Sequence, residues 1–185
     1  MIPAKLGPGD EVRVVLPATS LGFIPEDQRT MAAERLRELG LRVTFSRNAE
    51  VIDRFDSSPV EARVSDLYEA FSDPAVDGVL TNLGGYNSNR LLDYLDYDLI
   101  RANPKVLCGF SDITALAGAI HARTGLVTYS EPHFTARFRA VDLLADSRRA
   151  RRSLEHLWAQ SSTGPFLFAP PKPLCFWPRP CGADP

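Results

Sequence analysis

Five short runs of strand-forming residues alternate along this chain with segments of helical spacing, and that alternation restricts the fold more than any other feature. The runs are EVRVVLP (11–17), LRVTFS (41–46), VDGVLTNL (76–83), KVLCGF (105–110) and LVTYS (126–130). Between the first two, the segment from Pro25 to Leu39 places Met31, Leu36 and Leu39 among small alanines and stops at Gly40, the pattern of a helix closed by glycine. Between the second and third, SPVEARVSDLYEAF offers Ser58 as N-cap, Pro59 at the first helical position and Glu61 three residues after the cap. That order predicts a capping box. Strands alternating with helices join through right-handed crossovers, so the expected class is α/β: a mainly parallel sheet flanked by helices, Rossmann- or flavodoxin-like.

In such sheets a ligand lies outside the carboxyl ends of the strands. Four loops gather there: PATSLGF, NLGGYNSN, GFSD and SEPHF. Three of them carry glycine beside hydroxyl or amide side chains, which lets backbone N–H donors approach a ligand closely.

One of these loops holds a serine at a strand-to-helix corner. In KVLCGFSDITAL, Val106, Leu107 and Cys108 read as a buried strand, Gly109 permits a sharp turn, and Ile113, Leu116, Ala117 and Ile120 recur at helical spacing. Two readings of Ser111 stand. It caps the helix, or it is a nucleophile lifted out of the sheet and facing the helix's first free N–H groups. A serine nucleophile needs a base, a group that orients the base, and donors where the carbonyl oxygen becomes negative. The N–H groups of Asp112 and of the Gly84-Gly85 turn are candidate donors, against the plainer reading of that glycine pair as a tight turn. Asp112 reads as a cap at the positive helix terminus rather than as a triad acid.

No histidine completes a triad. His121 lies ten residues along the helix from Ser111, roughly 15 Å away at the helical rise. His156 falls in an arginine-rich segment, and His133, at the correct end of the sheet, reads as structural or substrate-contacting at least as readily as catalytic. Other motifs are absent: NLGGYNSNR has neither the GK[ST] ending of a P-loop nor a GxGxxG fingerprint, and GFSDI departs from the GxSxG elbow of α/β-hydrolases.

The bulk properties narrow the remaining classes. A chain of 185 residues, 44% hydrophobic and 24% charged, suits one domain with a sizeable core or one domain plus part of a second. A net charge of -2 gives no reason to expect a nucleic-acid partner. The apolar runs fall short of the roughly 20 residues of a membrane span, and the N-terminus lacks a signal-peptide core, so neither a membrane partner nor export is expected and a cytoplasmic location follows by default. Cys175 and Cys181 have no neighbouring histidines, which is neither a disulfide framework nor a zinc site. Residues 147–160 read as a helix with a solvated arginine face. Seven of the 22 residues from Gly164 to Pro185 are proline, too many for a core element, so this stretch reads as an extended connection. The expected division is an α/β domain over 1–145 and a helix plus proline-rich tail or linker over 146–185.

Taken together, LPATSLGF, LGGYNSNRLLDYLDYDLIRANPK, CGFSDITAL and GLVTYSEPHF resemble the LD-carboxypeptidase family of serine peptidases, over about Lys5 to Phe138. The GYNSN loop followed by LDYDLI resembles the microcin-immunity branch more than the murein-recycling branch. The resemblance implies an α/β domain bearing the nucleophile and a smaller domain bearing a glutamate and a histidine, often in a homodimer, with no metal and no cofactor. Carried onto matching positions, it makes Ser111 the nucleophile, the backbone N–H groups of Asp112 and Gly85 the oxyanion donors, and Gly84, Tyr86, Asn87 and His133 substrate-binding residues. The substrate it implies is a small peptide or peptide-nucleotide, cleaved through an acyl-serine intermediate. Glu131 departs from the glycine usual before Pro-His-Phe, and no residue here inherits the glutamate and histidine roles. A truncated or frame-shifted chain, with activity much reduced, is therefore expected. The rival expectation is a non-catalytic α/β remnant that binds a ligand or pairs with a subunit, and a weaker third is a sugar- or nucleotide-binding flavodoxin-like module.

Overall fold

The computed structural model describes residues 1–130 and 133–135. Four strands, β1 (Glu11–Val15), β2 (Arg42–Phe45), β3 (Gly78–Thr81) and β4 (Val106–Cys108), form one sheet in the order β2-β1-β3-β4, every pair parallel. Four helices surround it: α1 (Glu26–Glu38), α2 (Val60–Ser72), α3 (Tyr97–Ala102) and α4 (Ile113–Thr124). The α/β class read from the sequence is the observed one.

Strand periodicity divides the core in two. Val12 and Val14 of β1, Leu80 of β3, and Val106 and Cys108 of β4 join Ala32, Ala33 and Leu36 of α1 on one face. Val15, Val79 and Leu107 turn the other way, onto Leu67 and Phe71 of α2, Ile100 of α3, and Ile113, Leu116 and Ile120 of α4. Covered on both sides, β3 and β4 are buried throughout, whereas edge strand β2 is partly exposed. The chain leaves β1 through α1 on one face and reaches β3 through α2 on the other. The connections after β1 and β3 leave to opposite faces of the sheet, which makes the carboxyl ends of these neighbouring strands the switch point where α/β sheets place their ligands.

Two sequence expectations need correction. LVTYS forms no fifth strand among the described residues. Tyr129 makes a single parallel bridge to Cys108, and the Val127 N–H is donated instead to the Met1 carbonyl at 2.8 Å. The capping box is also not formed, because the N-cap of α2 is Pro59, with no side-chain cap bond. Proline's fixed φ admits it at this position, and its missing N–H is one the helix start does not use. Helix α3, for which no expectation was stated above, is capped by Asp96, whose side chain accepts from the N–H groups of Asp98 and Leu99 at 3.0 and 2.9 Å.

Among the described residues no helix is long and apolar enough to cross a membrane. The boundary expected near 145, the arginine-rich segment with His156, the proline-rich tail with Cys175 and Cys181, and Glu131 all lie outside the described residues.

Candidate active site

The corner after β4 is made by the serine itself. Ser111 has φ of 63°; it and Asp56 are the two non-glycine residues with positive φ among the described residues. Left-handed backbone costs an L-residue roughly 1–2 kcal/mol, so the surrounding structure must hold it there. Gly109, expected to supply the turn, does not adopt a positive φ. It is needed for close approach instead: a Cβ there would lie 2.1 Å from the Thr81 Oγ1. Nor does Ser111 occupy the cap of α4. The N-cap is Asp112, and no side chain caps the helix. Ser111 is exposed.

The loop after β3 is folded onto this corner. A Cβ added to Gly84 would sit 2.9 Å from both Cβ and Oγ of Ser111 and 3.3 Å from the Asp112 nitrogen. Only glycine leaves that space open. The Thr19 hydroxyl, from the loop after β1, donates to the Gly84 carbonyl at 2.7 Å, so all three loops meet. Gly85 lies against Ala18 and Thr19, and Tyr86 is fully exposed.

Asp112, expected to cap its helix, points elsewhere. Its Oδ2 accepts from the Asn87 and Ser88 N–H groups at 3.0 and 2.9 Å, while the Ser88 hydroxyl donates to the Asp112 carbonyl at 2.7 Å. The carboxylate thus fastens the glycine loop to the elbow. Behind it lies Arg63 of α2, 2% exposed. Its Nη1 donates to the Pro17 carbonyl at 2.9 Å and to the Asn87 carbonyl and Oδ1 at 3.3 and 3.0 Å. Burial lowers the pKa of this guanidinium; nearby Asp53 opposes the shift, Arg90 adds to it, and Asp112 opposes it. The signal for Arg63 in the sequence is its place one turn before Leu67 and two before Ala70, which sets a charge on the apolar stripe of α2.

His133 is 2% exposed and lies beneath the elbow. Its Nε2 is 3.0 Å from the Phe110 nitrogen and 2.8 Å from the Phe110 carbonyl, so one tautomer accepts the N–H and the other donates to the carbonyl. The two rings lie against each other with centroids 4.3 Å apart and planes tilted by 33°. His121, at the far end of α4, has its Nδ1 2.9 Å from the Leu126 carbonyl. A cavity of about 680 Å³ opens elsewhere, between α1 and the segment after β2, and none of Gly84, Gly85, Ser111 or Asp112 lines it.

An exposed serine on a strained corner, with glycine space and the first amide of a helix beside it, is an arrangement suited to acyl transfer. Residues 12–131 match the family model described as the LD-carboxypeptidase N-terminal domain. The chain belongs to the LD-carboxypeptidase family. The Bacillus subtilis (strain 168) relative YocD is 53% identical over 135 residues, covering 73% of this chain and 42% of the relative. The crystal structure of an MccF-like protein from Bacillus anthracis str. Ames is 61% identical, with a TM-score of 0.73, over 74% of this chain and 41% of that one. A structure of MccF in complex with glutamyl sulfamoyl guanosine is 28% identical, with a TM-score of 0.80, over 88% and 48%. The chain spans less than half the length of these relatives.

Proposed function

We propose that this chain carries the nucleophile of a serine carboxypeptidase of LD type, and that Ser111 is that nucleophile. Its Oγ attacks the carbonyl carbon of a C-terminal amide in a small peptide. The hydroxyl proton passes to a base, the C–N bond breaks, and the protonated amine departs. Water then hydrolyses the acyl-serine ester. The N–H groups of Asp112 and Gly85 face the oxygen that becomes negative, with Gly84, Tyr86 and Asn87 around the substrate. His133 acts in this reading by holding Phe110, and so the elbow, from below. Two substrate types suit it: a murein peptide, from the Pseudomonas aeruginosa relative named murein tetrapeptide carboxypeptidase, and a peptide-nucleotide, from the glutamyl sulfamoyl guanosine bound in the MccF structure.

The observation that carries the reading is the left-handed, exposed Ser111, with Gly84 leaving open the space beside Oγ and the Asp112 amide. Strain at a non-glycine residue persists where surrounding structure maintains it, and nucleophile elbows are such places. The described residues place no base for Ser111.

The test is long incubation with a fluorophosphonate, with the modified residue mapped by mass spectrometry. Ser111 is expected to be labelled ahead of every other serine, and Ser111→Ala to abolish the selective label. Labelling spread over serines according to exposure, unchanged in Ser111→Ala, would favour the non-catalytic binding remnant.

A further inference from the structure

Arg63 is an unusual residue to find at the centre of this arrangement. It is among the largest fully buried side chains of the described residues, and its Nε has no hydrogen-bond partner there. Buried arginines are ordinarily paired with a carboxylate. This one instead donates to oxygens of two loops, the Pro17 carbonyl after β1 and both oxygens of Asn87 after β3. Asn87 is used at both ends: its oxygens face the cation, and its N–H is donated to the Asp112 carboxylate. A buried positive charge and a half-buried negative one are therefore joined through a single residue of the glycine loop. Asp112 directly follows the strained Ser111, and its carboxylate fixes both Asn87 and Ser88. An apolar side chain would fill the volume of Arg63 without the cost of burying charge, so core filling alone does not account for an arginine here.

We infer that Arg63 is a positioning residue for the reacting centre: through Asn87 and Asp112 it holds the glycine loop in register with Ser111, so that the Gly85 and Asp112 amides converge beside Oγ. This rests on the reading of Ser111 as the nucleophile. The arrangement works as a clamp of three links, Arg63 to Asn87, Asn87 to Asp112, and Asp112 to the backbone of the elbow. Loosening the first link also releases the Pro17 carbonyl after β1, while the apolar members of the two core faces keep their contacts with one another. Misplacement of a reacting group by about 1 Å costs on the order of 100-fold in rate, so a small drift of this loop is enough to be read.

The experiment compares the wild-type chain with Arg63→Met, Arg63→Lys and Asn87→Ala, using two readouts. Amide hydrogen exchange is measured at Asn87 and Ser88 and at residues of β1 and β3. Fluorophosphonate labelling of Ser111 is measured on the same samples. Arg63→Met is expected to lower protection at Asn87 and Ser88 by about 10-fold or more, with the sheet amides unchanged, and to slow Ser111 labelling by about 10- to 100-fold. Arg63→Lys should recover part of both losses, because it keeps the charge with fewer donors. Asn87→Ala, which removes one of the bonds and leaves the core intact, should move both readouts in the same direction and decides the matter should Arg63→Met not fold. Equal loss of protection at loop and sheet, or unchanged exchange at Asn87 and Ser88, would overturn the clamp. If wild-type Ser111 is never selectively labelled, the nucleophile reading fails, while the exchange data still decide whether Arg63 holds the loop.

Discussion

A single methyl group at position 84 gives a sharp test of the site's geometry. In Gly84→Ala the new carbon would lie 2.9 Å from the Cβ and the Oγ of Ser111, where carbon contacts are best at about 3.5–4.0 Å. Its neighbour cannot swing aside, because Ser111 is fixed by its left-handed backbone between β4 and α4. Overpacking of this kind costs about 1–3 kcal/mol. For a chain of this length each kcal/mol shifts the melting temperature by about 2–4 °C, so Tm should fall by about 2–12 °C. Gly118→Ala is the control. It adds the same methyl group in the interior of α4, where nothing lies within 4 Å, and glycine in a helix interior costs about 0.5–1 kcal/mol relative to alanine. Its Tm should rise by about 1–4 °C. Calorimetry of the three chains measures the shifts, and fluorophosphonate labelling should slow in Gly84→Ala alone. A Gly84→Ala chain that melts at or above the wild-type temperature would refute the close approach of Gly84 to Ser111.

Three further outcomes follow from the same geometry. Ser111→Gly should be more stable than Ser111→Ala by about 1 kcal/mol in urea denaturation, because alanine keeps a Cβ at positive φ and glycine does not; equal stabilities would deny the strain. Asp112→Ala should cost about 1–3 kcal/mol, since it leaves the Asn87 and Ser88 N–H groups without their acceptor, and Asp112→Asn should cost less; thermal melts of the pair check the order. Lys105, whose Nζ donates to the Ala70 carbonyl at 3.0 Å, has its pKa lowered chiefly by burial, with Asp73 opposing. Between that lowered value and the ordinary 10.5, the unfolded chain binds more protons at this site than the folded one, so its contribution makes stability rise with pH across that window. Lys105→Met should flatten the rise in denaturation curves taken through the alkaline range, and an unchanged slope would count against it.

The sheet was legible because period-two apolar patterning is a local signal, and Val12, Val14 and Leu80 needed only their sequence neighbours to be read. Ser111 could be placed at a strand-to-helix corner for the same reason. What the sequence did not disclose were choices settled by distant contacts. Gly109 looked like the turn residue, yet the crowding of Thr81 explains it and the strain falls on Ser111. Asp112 looked like a helix cap, but two N–H groups some 25 residues earlier in the chain compete successfully for its carboxylate. LVTYS has strand composition, and Val127 nevertheless pairs with Met1, more than 120 residues away. Arg63 was passed over because a charge in an amphipathic helix is ordinarily solvated, and only the folded loops show what it holds. Asp96, by contrast, stood in the position of a helix cap and could have revealed α3 from sequence alone.

The contact of Thr19 with Gly84, and of Ser88 with Asp112, means that the candidate site belongs to the loops after β1, β3 and β4 at once. A small molecule seated across those three loops is thermodynamically linked to the folding of the whole sheet. At a free concentration about 100 times its Kd, such a ligand would stabilise the fold by about 2.7 kcal/mol. Screening by thermal upshift can therefore identify what this site recognises even where no turnover is observed.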